Sequence, residues 1–389
     1  MGYLSNIKKQ YLINLFQSLI PAYIIERLFW QERGMNVQMV VYCEIIYAVT
    51  VVVFEIPSGI LADKFGRKRL LIINGALSAA EFVVLLFADS FWMFGLAVFM
   101  SGIGKAFSSG SQNALLYDSL LLEGEESRFE KLIGRLYAVD FVGSMIAAIS
   151  GGVLANLFGF EFNYIVSFFS MSGVFVITLF LKEPQMITKP EGDLTGVTQY
   201  AKQAMTVFRE KRLVLIYCLS GAVVGACLIY LDEFWQLILD EIGIPIVFFG
   251  AVGAMVLLFR IPGNLLAYKL KERFGSKSII TVIILLNAVG YFSIFFIRNF
   301  LCVVPITVVS LTAGVLEPLV MGYLHRNTES QVRATAESFS SLGMRLISVI
   351  IGLAFGYIST HFSIFSGFVL LGTICCGYFL FFTGIKKKD

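Results

Sequence analysis

The sequence lacks a G-x-x-x-x-G-K-[ST] run, so it has no phosphate-cradling loop with which to use ATP. Its two histidines, His325 and His361, are far apart and fall at the ends of apolar stretches. Neither builds a metal cluster or a catalytic constellation. Six cysteines (Cys43, Cys218, Cys227, Cys302, Cys375 and Cys376) all lie in apolar segments without C-x-x-C spacing, which argues against a disulfide framework or a zinc site. Charge is scarce, at 15% of residues, and a net charge of +3 is no basis for nucleic-acid binding. An enzyme is not expected, nor a cofactor, nor a metal.

What fills the space is apolar. Hydrophobic residues make up 57% of the 389 and mean hydropathy is +0.81, which no soluble globule of this length would carry. Stretches of about 20 apolar residues recur, each long enough to cross a bilayer as a helix. Helices satisfy their own backbone in lipid, so the reading is an all-α polytopic membrane protein. The first apolar run is too long for a secretory signal and lacks a cleavage site, so it is expected to remain as the first span. Twelve spans are expected, at 10–30, 37–61, 69–89, 91–115, 131–156, 162–182, 212–237, 243–268, 277–297, 300–324, 335–358 and 362–384. Of 30 Lys and Arg residues, 24 collect on the side that holds both termini and alternate loops, including Lys386, Lys387 and Lys388. The positive-inside rule makes that side the cytoplasm of a cell (inner or plasma) membrane.

Between spans two and three runs Glu55 to Leu71, EIPSGILADKFGRKRLL, an apolar run read as breaking into a loop with four cations before re-entering the membrane. Gly59-Ile60-Leu61-Ala62-Asp63-Lys64-Phe65-Gly66-Arg67-Lys68 resembles the cytoplasmic signature of the major facilitator superfamily, G-x-L-A-D-R-x-G-R-[KR], with Lys64 where arginine is commoner. The resemblance implies twelve transmembrane helices in two pseudo-symmetric six-helix bundles, working by alternating access. It also implies that Asp63 and Arg67 form part of a latch, with Gly59 and Gly66 allowing close backbone approach and a tight turn. Asp118, at the cytoplasmic end of span four, is the acid Arg67 is expected to reach. In span five, Ala147-Ala148-Ile149-Ser150-Gly151-Gly152 resembles the G-P-x-x-G-G end of a motif of the drug/proton antiporter-like branches, with alanines in place of Gly and Pro. The fourth-span arginine of those exporters is missing, Lys105 being the nearest cation.

The one long hydrophilic stretch, Lys182 to Arg212, divides the chain. It gives an N-terminal bundle at 1–182, a cytoplasmic linker at 183–211 and a C-terminal bundle at 212–389. Within the linker, Tyr200 to Arg209 reads as an amphipathic run able to lie on the membrane surface. A shift of 205 residues aligns Ile56-Pro57 with Ile261-Pro262 and Gly151 with Gly356. The second half has Tyr268 at the place of Asp63, and four extra residues before its own Gly275. Weak internal repeats of this kind suit the superfamily.

Ionisable groups inside spans are costly and mark function by default. The acids are Glu44, Glu55, Glu81, Asp140, Asp232, Glu233 and Glu317; the bases are Lys105, Arg260 and Arg345. Glu26 and Arg27 are read as snorkelling to the outer interface. In the superfamily, spans one, four, seven and ten line a central cavity, which singles out Lys105, Asp232, Glu233 and Glu317. Glu317 precedes Pro318, which frees a carbonyl and kinks a helix. A carboxyl group in an apolar cavity is disfavoured as an anion, which suits proton loading on one side and release on the other. Glu44, Glu81, Asp232 and Glu317 are the candidates. The 205-residue shift also sets Glu55 on Arg260 and Asp140 on Arg345. With the superfamily's neighbours (span two beside eleven, five beside eight), the expected gate pairs are Glu55 with Arg345 and Asp140 with Arg260.

The excess of acids leans toward cationic or neutral amphiphilic cargo. The expectation is therefore a monomeric secondary transporter, coupled to H⁺ and exporting small amphiphilic or cationic molecules. An importer of a nutrient or metabolite, a carrier of lipid-like cargo and a non-transporting membrane sensor stay open as alternatives.

Overall fold

The computed structural model of the chain describes residues 3–184, 205, 208–328 and 333–384, less the side chains of Ile56, Asp63 and 333–335. Among these it is built of α-helices joined by short turns, with no strand. Eleven helices are long and apolar enough to cross a bilayer, and a bent pair at the start makes a twelfth. Two compact units divide the chain: Met1–Thr188 with Pro245–Gly253, and Lys189–Ile244 with Ala254–Asp389.

The first unit contains α1 (Ser5–Ser18), α2 (Glu26–Glu32), α3 (Val37–Phe65), α4 (Arg67–Leu86), α5 (Phe91–Leu121), α6 (Phe129–Phe158) and α7 (Phe160–Leu179). The first span, read as continuous, is broken. α1 ends at Ser18, a 3₁₀ turn covers Pro21–Ile24, and α2 leaves at 48°. Pro21 supplies no N–H and so cannot continue the ladder. The backbone groups set free are met by α7 side chains: Ala22 N–H donates to Ser167 Oγ (3.2 Å), and Asn163 Nδ2 donates to Pro21 O (3.2 Å). In lipid such groups must find a partner within the protein.

α3 starts at a cap, the Asn36 side chain accepting the Met39 N–H at 2.9 Å. It then runs unbroken through Pro57 and the motif to Phe65. The expected loop is thus the last turns of a helix, because nothing in the sequence stops it before Gly66. That glycine alone makes the turn to α4, with φ +91, a conformation that side-chain-bearing residues rarely adopt. A Cβ there would also stand 2.8 Å from the Glu183 carboxylate. Further along, α4 packs closely on α7. A Cβ at Gly75 would come within 2.8 Å of Phe175 Cα. The unit's core holds buried aromatic rings, Phe29 against Tyr164 (4.2 Å) and Trp30 against Phe94 (4.8 Å).

The second unit contains α8 (Arg212–Glu241), α9 (Phe249–Phe274) from Ala254 onward, α10 (Ser276–Phe296), α11 (Val303–Arg326), α12 (Arg333–His361) and α13 (Ile364–Gly384). Gly275, φ +73, turns α9 into α10 at the place the internal repeat assigns it. Its core runs from Phe208 and Ile216 through Ile280, Ile284 and Leu316 to Phe382. Most of the linker lies outside the described residues, as do Lys386, Lys387 and Lys388. Met205, Phe208 and Arg209 are the described part of the amphipathic run.

Candidate functional site

Polar side chains gather at three places in the first unit and at two in the second. At the end of α3, Asp63 lies in the last turns of the helix; its side chain is outside the described ones. Arg67 is ion-paired through Nη1 with Asp118 Oδ2 of α5. Gly59 was expected to permit a close approach, yet a Cβ there would meet nothing within 4 Å. The residue that reading missed is Glu183. Its two oxygens accept the Arg67 N–H (2.9 Å) and the Lys68 N–H (2.7 Å), satisfying the first free donors of α4. A carboxylate at a helix N-terminus is favoured by both hydrogen bonding and the helix dipole. Cations gather beside it: Lys9, Lys68 and Lys182 lie within electrostatic reach of one another, and Lys9 Nζ donates to Phe180 O at 2.6 Å.

Deeper in the same unit, α1 presents a row of amides at helical spacing: Asn6, Gln10, Asn14 and Gln17. Asn14 Nδ2 donates to both oxygens of Asp140 on α6 (3.1 and 3.0 Å), and Gln112 Nε2 of α5 donates to Asn14 Oδ1 (2.8 Å). Lys105 lies within electrostatic reach of Asp140. Past the bend, Arg27 of α2 is buried, 4% exposed, and does not snorkel. Its Nη2 is 2.7 Å from Glu44, its Nη1 is 3.8 Å from Glu26, and its guanidinium lies 4.7 Å from the Trp30 ring. The bend between α1 and α2 belongs to the same stretch. Glu81 of α4 is buried nearby, facing Ser101 of α5.

In the second unit Arg260, expected to face Asp140, is ion-paired with Asp232 at 2.5 Å, from α9 to α8. Glu233 is half-buried beside it. Within their own units, and among the described residues, Glu55 and Arg345 have no ion-pair partner. The main feature is a chamber of about 380 Å³ among α8, α11 and α12. Glu317 and Glu337 line it with Met321, Met344, Gly221 and Ser340; among the described residues no lysine or arginine does. Glu317 is exposed, and Pro318 follows it inside α11. Glu337 stands 3.4 Å from His325 at the cytoplasmic end of that helix by the sequence reading.

Bundled apolar helices around an acid-lined chamber define a polytopic membrane transporter. The chain belongs to the Major Facilitator Superfamily, whose family model matches residues 11–240 and 234–389. It is similar to the class H tetracycline resistance protein of Pasteurella multocida, 22% identical over 361 residues, which cover 90% of this chain and 86% of that one. It also resembles the class B tetracycline resistance protein of Escherichia coli, 21% identical over 319 residues, covering 81% and 78%. The crystal structure of the nucleoside transporter NupG superposes with a TM-score of 0.78 at 13% identity, covering 100% of this chain and 99% of that one. That likeness shows the fold alone. The protein is thus a multi-pass membrane transporter and not an enzyme.

Proposed function

We propose that the protein exports small amphiphilic cations in exchange for protons. The observation that carries this reading is the chamber: carboxylates and no cation in a mainly apolar cavity of about 380 Å³, within the range of small-molecule sites. An anionic group lining such a cavity attracts positive charge, and Glu317 is exposed to whatever enters. Glu317 then has two alternative occupants, a proton or the positive charge of the cargo, and binding one releases the other. Pro318 leaves the Gly314 carbonyl without its helical donor, which softens α11 beside that carboxylate. The similarity to tetracycline resistance proteins over most of the chain supports efflux as the direction. The loop charges support termini in the cytoplasm. Arg67, Asp118 and Asp63 would act as the cytoplasmic latch, with Glu183 holding the turn. Asp232 and Glu44 already have guanidinium partners and are weaker candidates for carrying the proton.

The test is transport in proteoliposomes with an imposed pH gradient, using ethidium and tetraphenylphosphonium beside neutral and anionic controls. Glu317→Gln is expected to weaken cation binding by about 10- to 100-fold, from the roughly 1.5–3 kcal/mol of a contact to a charged group. It should also flatten the pH dependence of affinity. Gradient-driven transport of cations at wild-type rate in that variant would overturn the assignment.

A further inference from the structure

Beside the chamber lies a second cavity of about 190 Å³. Its walls include Leu219 of α8 and Phe339 and Ile347 of α12, and the linker closes one side with Met205 and Phe208. Cys218 and Ala222 of α8 and Ser340 of α12 belong to both cavities. These three small side chains are the partition, where the Cys218 thiol of α8 faces the Ser340 hydroxyl of α12. Among the described residues no charged group lines the second cavity and Ser340 brings its one hydroxyl, so water would find few polar partners there. The recess is partly open rather than sealed, and its apolar walls favour an apolar occupant over water.

We propose that this annex is a tail subsite: the cargo sets its positive charge at Glu317 and passes an apolar chain over Ala222, between Cys218 and Ser340, into the space walled by Leu219, Phe339 and Phe208. The inference rests on the exporter reading and narrows it, from small cations in general to cations that bear an apolar chain. It also gives the linker a part in cargo selection, because Met205 and Phe208 form the annex wall. Shared partition residues are what single out the cargo's own tail as occupant. A separate apolar ligand would have no link to the carboxylates next door.

Gly343 provides the probe. It lines the annex and not the chamber, and a Cβ there would meet nothing within 4 Å. Gly343→Phe therefore sets a ring into the annex from a position whose first carbon meets no neighbour. The full-length protein in lipid nanodiscs is titrated with alkyltrimethylammonium ions from ethyl to dodecyl. Wild type should tighten about fourfold per added methylene until the annex is full. Gly343→Phe should bind the ethyl ion within about twofold of wild type, lose the gain with length, and bind the dodecyl ion at least tenfold more weakly. Phe339→Ala, which enlarges the annex, should move the plateau to longer chains.

The annex is refuted if Gly343→Phe leaves the chain-length dependence intact, or if it weakens ethyl and dodecyl ions alike. An unmoved plateau in Phe339→Ala counts against it too. Failure of the exporter reading looks different: wild type would bind the ethyl ion no better than Glu317→Gln does. If wild type binds no member of the series, both fall together.

Discussion

Removing one partner of the Asp232–Arg260 pair should test whether Asp232 holds the bundle together or carries protons. Asp232→Asn leaves the Arg260 guanidinium without its anion, and Arg260→Gln does the converse. For a fully buried pair such a loss costs about 3–5 kcal/mol. Here the two side chains are 33% and 31% exposed, so water screens part of the charge. Discounting for that gives about 1–2 kcal/mol for either single variant. The double variant, Asp232→Asn with Arg260→Gln, has no stranded charge and should recover to within about 0.5 kcal/mol of wild type. Thermal unfolding of the purified protein, followed by intrinsic fluorescence in detergent, reads the stability. Transport under a pH gradient is measured on the same preparations and should continue in the double variant. Two results would refute the reasoning. One is a double variant destabilised by the sum of the singles; the other is a stable double variant that has lost gradient-driven transport, which would make Asp232 a proton carrier.

Two further predictions concern single contacts in the first unit. Glu183→Ala removes the acceptors of the Arg67 and Lys68 amides and should cost about 0.5–2 kcal/mol at the start of α4, seen as faster hydrogen exchange at those two amides; unchanged exchange would mean that solvent caps the helix equally well. Gly75→Ala puts a methyl carbon against Phe175 Cα, where backbone cannot yield easily, and should cost about 1–3 kcal/mol of thermal stability. An unchanged melting temperature would show that α4 and α7 can separate freely.

The spans were legible because about 20 apolar residues between charged turns have only one economical form in lipid. The family was legible from ten residues around Asp63. The limits of the motif's turn were not, since a cluster of charges at Lys64 to Arg69 reads as a loop even when the helix continues to Phe65. Pro21 did carry the signal of the broken first span, but a hydropathy window passes over a single proline. Asn14, Gln10 and Gln112 went unread because only ionisable groups were weighed, although an amide in lipid needs partners just as a carboxylate does. The spacing of four residues from Asn6 to Gln10 to Asn14 along α1 was the available clue. The partner of Arg260 was beyond the sequence altogether. Which face of a helix meets which neighbour depends on its rotation, and hydropathy that is nearly even around the helix does not report it.

Pro57 in α3 and Pro262 in α9 deserve to be read as mechanical parts. Each has no N–H, so the carbonyls of Val53 and Leu258 lack their usual intrahelical donor. Bending the helix at these points therefore breaks no hydrogen bond, whereas bending it one turn away would. The two stiff rods are each softest at one level, just short of the residues that end them at Phe65 and Phe274. A load applied at Asp63 would be taken up there as a small change of angle, leaving the rest of α3 in its packing. The same compliance at the same repeat position in α9 would let the two ends yield by similar amounts, so a change of state need not begin by melting a turn.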